Sequence, residues 1–429
     1  MLRSVNWQEK GLIDAGCIVH FALKFDSPNN ADEHISQLFD LIPQFHYTTD
    51  NDKKFIQYNP AKPLISDFLF DVRNYTPNNL NEACKYSFDF CKPRNNSLAS
   101  MTKFKNNVLV VNLSHAVADG GFLIDTIEKL QASIFNQNIK LNSNKIFNEI
   151  INLNKGNVLP LTPLDTLKNE LEKSPKCEIE SDFDPIITTY KSTEGKIPNG
   201  SNALRHIPFE IRNCHNSSKF SEKCWLSLPL SIHAFQNVFP SSVGCGTLVN
   251  LRPFIRPEFF QQNKHLILNH FSWVNVGFSE MNRKMIVNDV LNFFRESFKH
   301  NIEKKAHLSN IKSMFLPTKE DLERPWIERK ETTTSTSNVG LIKIKKPIID
   351  AFIIQNAERF ARNCISLINY KVQHENGIID TKGSITYGDQ IISDHEAAII
   401  ASGVKAFFEK CNSSMTIQDT MNVIYQSQK

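Results

Sequence analysis

Apolar and polar positions along this chain fall into two structured stretches separated by a polar interval. Residues 18–25, Ile18-Val19-His20-Phe21-Ala22-Leu23-Lys24-Phe25, form an almost continuous apolar run and predict a strand. Over 31–41 the residues Ile35, Leu38 and Phe39, with Ile42 beyond, recur at helical spacing, and Pro43-Gln44-Phe45-His46-Tyr47 starts the next extended segment. Residues 108–114, Val108-Leu109-Val110-Val111-Asn112-Leu113-Ser114, predict a second strand. Leu123, Ile127, Leu130 and Ile134 then return at helical spacing, so that helix is expected to pack on the sheet carrying 108–114. From about 136 to 202 the chain is rich in Asn, Lys and Pro and weakly periodic, punctuated by Pro160, Pro163, Pro175, Pro185 and Pro198. It reads as a crossover with one short helix at 164–171.

Periodicity then resumes. A helix is predicted over 220–236, interrupted at Pro229, followed by a strand over 244–251. Ile286, Val290, Phe294, Phe298 and Ile302 form a helical stripe, while Ile365, Leu367 and Asn369 alternate as in a strand whose hairpin partner is 383–388. Ser393-Asp394-His395-Glu396 has the form of a capping box and opens a helix through Ala397, Ile400, Val404, Phe407 and Phe408. No internal repeat is visible. The division expected is a first half over 1–160, a linker over 161–200 and a second half over 201–429, both halves mixed α/β.

Composition narrows the function classes. A length of 429 residues with 41% hydrophobic and 22% charged residues describes an ordinary globular chain and favours two domains over three. A net charge of +4 without a Lys/Arg block gives nucleic-acid binding no support. Nine scattered cysteines include no C-x-x-C pair, which favours reduced thiols over a disulfide framework or a zinc site, and no metal is expected. The polar N-terminal segment and the lack of a long apolar run lead to a cytoplasmic, monomeric chain without a transmembrane segment, with peripheral membrane contact left open. Thirty-one phenylalanines beside eight tyrosines fit an apolar channel and fit compositional drift among core residues equally.

The candidate chemistry sits at His115-Ala116-Val117-Ala118-Asp119-Gly120-Gly121, a histidine at a strand end followed by an acid, two glycines and a helix. Imidazole has the side-chain pKa closest to neutrality, and a strand end fixes it against a substrate, which suits a general base. A short turn can point the Asp119 carboxylate away from the ring, where it braces the loop through a cation. Gly120 and Gly121 are expected to let the backbone turn tightly into the helix. A hydrogen-bonded histidine at an ordinary strand end is the plainer reading.

Asn112-Leu113-Ser114-His115-Ala116-Val117-Ala118-Asp119-Gly120-Gly121-Phe122 resembles the His-x-x-x-Asp-Gly signature of the CoA-dependent acyltransferase superfamily, which includes chloramphenicol acetyltransferase, plant BAHD acyltransferases, nonribosomal condensation domains and fungal alcohol acetyltransferases. Three further matches follow in order. Val249-Asn250-Leu251-Arg252-Pro253 resembles the strand with the structural arginine. Thr336-Ser337-Asn338-Val339-Gly340 resembles the Ser-Asn-x-Gly segment of the alcohol acetyltransferase branch, and 383–408 resembles the terminal hairpin and helix. The plant Asp-Phe-Gly-Trp-Gly motif is absent, and Ser114 stands where some members carry a second histidine.

The resemblance implies two chloramphenicol acetyltransferase-like domains, each a mixed sheet flanked by helices, around a channel. It implies acyl transfer, acetyl or another short acyl, from acetyl-CoA as co-substrate to a hydroxyl or amine of a small, apolar acceptor. His115 is the implied base, Asp119 and Arg252 a salt bridge fixing its loop with Gly120 beside it, and Ser337 or Asn338 the oxyanion donor. Arg252 at the surface, or Ser337-Asn338 as a plain turn, remain open alternatives. Lys343 and Lys345 are candidate CoA-phosphate contacts and equally read as solvent-facing strand residues. A catalytically silent binding protein that keeps the fold is the reading from a different class.

Overall fold

The computed structural model describes residues 2–59, 64–135, 159–174, 186–192, 194, 203–214, 219–315, 332–359 and 364–429. Its strands, in chain order, are β1 (Leu2–Ser4), β2 (Ile18–Phe25), β3 (Tyr47–Thr49), β4 (Phe55–Tyr58), β5 (Leu69–Val72), β6 (Ala99–Phe104) and β7 (Val108–Ser114). There follow β8 (Thr189–Tyr190), β9 (Leu204–Ile211), β10 (Ser242–Asn250), β11 (Phe271–Ser279) and β12 (Thr332–Lys343). The last are β13 (Ile348–Asn356), β14 (Cys364–Gln373) and β15 (Ile379–Gly388).

The first lobe is built on a five-stranded sheet of order β13-β2-β7-β6-β5, antiparallel except where β5 meets β6. β7 is buried along its whole length, as its apolar run requires of a strand covered on both faces. Helix Pro28–Leu41 brings Ala31, Ile35, Leu38 and Phe39, and helix Gly120–Phe135 brings Leu123, Ile127 and Leu130, into the same core. The Ile134 side chain and most of the 136–202 crossover lie outside the described residues. Around 164–171 the chain forms two short helices, Pro163–Thr166 and Lys168–Glu172. Pro43–His46 closes a tight 3₁₀ turn, and extension begins only at β3. A small sheet β1-β4-β3 stands apart.

The second lobe carries a seven-stranded mixed sheet of order β11-β10-β12-β14-β15-β9, with β8 added to β12. β10–β12 and β12–β14 are parallel. Its outer face, with Val243, Cys245, Val274, Val276, Ile365, Leu367 and Ile385, packs under helices Phe220–Phe235, Val287–Glu303, Asp394–Lys410 and Ile417–Ser427. Helix Phe220–Phe235 runs through Pro229 without the expected interruption, because its residues from Cys224 to Ile232 are all buried and packing outweighs one lost backbone bond. The capping box at Ser393 and Glu396 forms as the sequence predicts.

Side chains alternate across a sheet, so the inner face carries Gly246, Leu248, Trp273, Asn275, Ser335, Ser337, Ser366 and Ile368. This face looks toward the first lobe. The Ile353 N–H donates to the Tyr370 hydroxyl at 2.8 Å, Lys382 pairs with Asp350, and His206 Nε2 meets Asn81 Oδ1 at 2.8 Å. Around those contacts Ser335, Ser337, Ser366 and Trp273 are only half-buried and Leu248 is 38% exposed, so part of the inner face stays open to solvent. The lobes are interleaved in sequence: β13, from beyond the 161–200 crossover, is the outer strand of the first sheet, and Ile342 and Ile344 enter the first core.

Candidate active site

β7 ends at Ser114, and the His115 N–H donates to the Cys17 carbonyl at 2.9 Å, which keeps the histidine at the sheet's edge. His115 is 8% exposed. Its Nδ1 lies 2.8 Å from the Ala118 carbonyl oxygen. A carbonyl only accepts, so Nδ1 carries a proton, and in the neutral ring Nε2 is the acceptor. The other carbonyls of the turn are tied as well. Asn269 Nδ2 donates to His115 O at 2.6 Å and to Ala116 O at 3.3 Å, and Gln44 Nε2 donates to Val117 O at 2.7 Å. The Phe271 ring lies 5.6 Å from the imidazole, centre to centre.

Asp119 turns toward Arg252. The guanidinium makes a two-pronged pair with its carboxylate, Nη1 to Oδ2 and Nη2 to Oδ1, both at 2.9 Å. Oδ1 also accepts the Phe122 N–H at 2.9 Å, capping helix Gly120–Phe135, and Oδ2 accepts the His270 N–H at 2.7 Å. Burial pushes the carboxyl up, but the Arg252 charge and hydrogen bonds, with those of Phe122 and His270, outweigh it and hold the group below the ordinary carboxylate range. Arg252 Nη2 reaches on to the Ile267 and Leu268 carbonyls at 3.1 Å each. The pair therefore locks a turn of the first lobe to a loop of the second.

The two glycines are needed for space, which corrects the expectation of a glycine-dependent turn. Neither has a positive φ. A Cβ on Gly121 would stand 2.7 Å from Arg252 Nη1, and one on Gly120 would stand 2.8 Å from Val339 Cγ1. The second contact brings β12 to the site. β12 carries a bulge between Asn338 and Gly340, with Gly340 at φ +118°. The β14 register, with Ser335 opposite Ser366 and Ser337 opposite Ile368, puts Ser337 on the inner face, two residues before Val339. Asn338 points the other way: its Nδ2 donates to Ser221 Oγ at 2.7 Å and its Oδ1 accepts the Gly340 N–H at 3.1 Å. The structure thus brings His115, Asp119, Gly120 and Arg252 together, sets Ser337 on the inner face two residues before the Val339 that abuts Gly120, and leaves Asn338 on the opposite face.

Lys343 and Lys345 are exposed and alternate with the buried Ile342 and Ile344, while Gln131 binds Lys343 O and the Lys345 N–H. Sequence reasoning missed Gln44, Asn269, His270 and Phe271. The local sign was an Asn-His pair set between the apolar residues Leu266–Leu268 and a strand; Gln44 had none. Among the described residues no group of three His, Cys, Asp or Glu side chains is placed to hold a metal, and no helix is long and apolar enough to cross a membrane.

No family model and no curated protein matches the sequence. Solved structures do match the fold. The first condensation domain of the calcium-dependent antibiotic synthetase, in complex with a substrate analogue, superposes with a TM-score of 0.58 at 11% identity, covering 98% of this chain and 99% of that one. Polyketide synthase associated protein 5 from Mycobacterium tuberculosis gives 0.57 at 9% identity, with 96% and 98% covered. A mutant starter condensation domain of rhizomide synthetase, in complex with C8-CoA, gives 0.55 at 9% identity, with 97% of each covered. The chain has the two-lobed architecture of condensation domains, a chloramphenicol acetyltransferase-like fold.

Proposed function

We propose that this chain is a CoA-dependent acyltransferase that moves an acetyl or other short acyl group to a hydroxyl or amine, with His115 as general base. The observation that carries the reading is the hydrogen bond from His115 Nδ1 to Ala118 O, which in the neutral imidazole supports Nε2 as the proton acceptor. The acceptor's oxygen or nitrogen attacks the thioester carbonyl carbon while its proton passes to Nε2. The tetrahedral intermediate collapses, the C–S bond breaks, and the imidazolium returns the proton to the departing thiolate. Ser337, on the inner face two residues before the Val339 that abuts Gly120, is assigned as donor to the oxyanion. No acyl-enzyme is needed. Cys17, whose carbonyl accepts the His115 N–H, has its thiol pushed up to about 12 by burial and is no nucleophile at neutral pH.

A neighbour of the same fold was solved with C8-CoA, which supports an acyl-CoA donor. Lys343 and Lys345, exposed at the far end of β12, are the cations this reading assigns to the CoA phosphates. The acceptor enters opposite the thioester and is an apolar small molecule.

The test is thiol release from acetyl-CoA against a panel of alcohols and amines. Wild-type protein is expected to turn over at least one acceptor, and His115→Ala to lose about 10²–10⁴-fold while keeping its fold by circular dichroism. Undiminished turnover in that variant would remove His115 as the base. Calorimetric binding of acetyl-CoA without turnover of any acceptor would return the chain to a binding role.

A further inference from the structure

The inner face of β10, β11 and β12 forms a strip that leads away from His115. It begins at Phe271, against the imidazole. The next residue of β11 on that face is Trp273, with Leu248 opposite it on β10. Phe271 and Trp273 are backed by the cluster of Leu251, Ile267, Ile311 and Phe315, so the strip has a firm floor. Leu248 nevertheless keeps 38% of its surface exposed. Farther on stand Gly246 and Asn275 as a pair, with Ser335 beside Gly246.

The strip then closes. Gly244 and Gly277 face each other, and Ile186 lies across them: a Cβ on Gly277 would stand 2.9 Å from Ile186 Cδ1, and one on Gly244 2.4 Å from Ile186 O. From Phe271 to Asn275 the strip runs about 14 Å at the rise of an extended strand, the span of about ten carbons of an extended alkyl chain.

A partly exposed leucine opposite a half-buried tryptophan, continuing to the Phe271 ring at the imidazole, makes an apolar run that starts at the candidate base. We propose that this strip seats an unbranched hydrocarbon chain of the substrate, its reacting end at His115 and its length limited by Ile186. The chain is the acyl tail of the thioester or the alkyl tail of the acceptor, and this identification of the reacting end rests on acyl transfer at His115. Gly246 sets the usable depth. A Cβ there meets nothing closer than Asn275 Oδ1 at 3.7 Å, so the folded protein has room for a larger side chain, which would stand in the strip.

The experiment runs two series: acyl-CoAs from C2 to C16 with one short alcohol, and 1-alkanols from C2 to C16 with acetyl-CoA. KM for one series is expected to improve about three- to four-fold per methylene, as burial of each CH₂ predicts, up to a break near C8–C10. Which series shows the break identifies the tail. Gly246→Leu is expected to move the break to shorter chains, and Trp273→Ala to flatten the rise below it. Two flat series, or a break that Gly246→Leu leaves in place, overturn the proposal. Calorimetric binding of both series to His115→Ala protein separates the two readings. A break in binding without turnover keeps the strip and removes the reaction, whereas turnover that depends on His115 with no break keeps the reaction and removes the strip.

Discussion

Asp119 stands four residues after His115, yet its two carboxylate oxygens accept four hydrogen bonds from Arg252, Phe122 and His270. Its role on this geometry is to hold the turn, and any effect on the base passes through backbone position. Both partners of the ion pair are largely buried, with side chains 7% and 14% exposed, so removing one leaves a charge without compensation. Asp119→Asn also replaces an acceptor by an amide that must face a donor. The loss expected is about 3–5 kcal/mol of stability, with a fall in turnover. Arg252→Gln is expected to cost a similar amount, and the double variant less than the sum. Urea unfolding of the four proteins measures that coupling, and a coupling energy near zero would show that the two groups do not act as a pair. The residues legible in the sequence here were those with a fixed spacing to His115, and the open question of where the Asp119 carboxylate points is answered by a cation. Gln44, Asn269 and His270 were not legible, because they reach the turn through the fold from other loops.

At the scale of elements, β12 does two things that a simple strand could not. It pairs with β14 of the second lobe's sheet from Thr333 to Lys343, across the bulge, and yet Ile342, with Ile344 just after the strand, belongs to the first lobe's core. Gly340 makes the change of direction, at a φ of +118° that residues with a Cβ adopt only under strain. Gly340→Ala is expected to cost about 1–3 kcal/mol and to lower turnover, since it displaces Val339 and Ser337 relative to Gly120. Gly377→Ala is the control: its φ is +82° with open space around it, in the β14–β15 turn. It should lose stability alone. Equal activity loss in both would mean that strain, and not placement of Ser337, is being measured. Hydrophobic period identified most long elements, including both flanks of His115. It misjudged Pro229, where tertiary burial overrides a local breaker, and the reason for Gly120 and Gly121, which depends on side chains distant in sequence. Alternation along β12 separates Ser337 from Asn338, a distinction the Ser-Asn-x-Gly pattern leaves undecided.

For the whole molecule, the interleaving of lobes makes one cooperative unit the natural expectation, and its stability carries a pH signature. Burial is the largest cause in each of seven histidines whose pKa is lowered: His20, His206, His233, His265 and His307 to about 4, His270 to about 3, and His34 to a smaller extent. Neighbouring cations add to it, Lys92 at His20, Lys85 and Arg205 at His206, Lys129 and Lys264 at His265, Arg252 at His270 and Lys305 at His307. They lie in both lobes and at the seam, where His206 meets Asn81. In the unfolded chain each titrates near 6.5. Between that value and about 4 the unfolded chain binds protons that the folded protein refuses, so the stability these groups contribute is full above about pH 6.5 and lost as pH falls toward 4. Asp119 acts in the same direction at lower pH: its depressed pKa gives stability present above about 4 and lost as pH falls through the folded value. Scanning calorimetry between pH 7.5 and 4.5 at fixed ionic strength is expected to show one transition whose Tm drops ever more steeply below pH 6.5. At pH 5 unfolding should take up several protons, approaching one per buried histidine. A Tm unchanged down to pH 4.5 would mean these imidazoles are already charged or solvated in the folded state, and the seam between the lobes would then be far wetter than its packing implies.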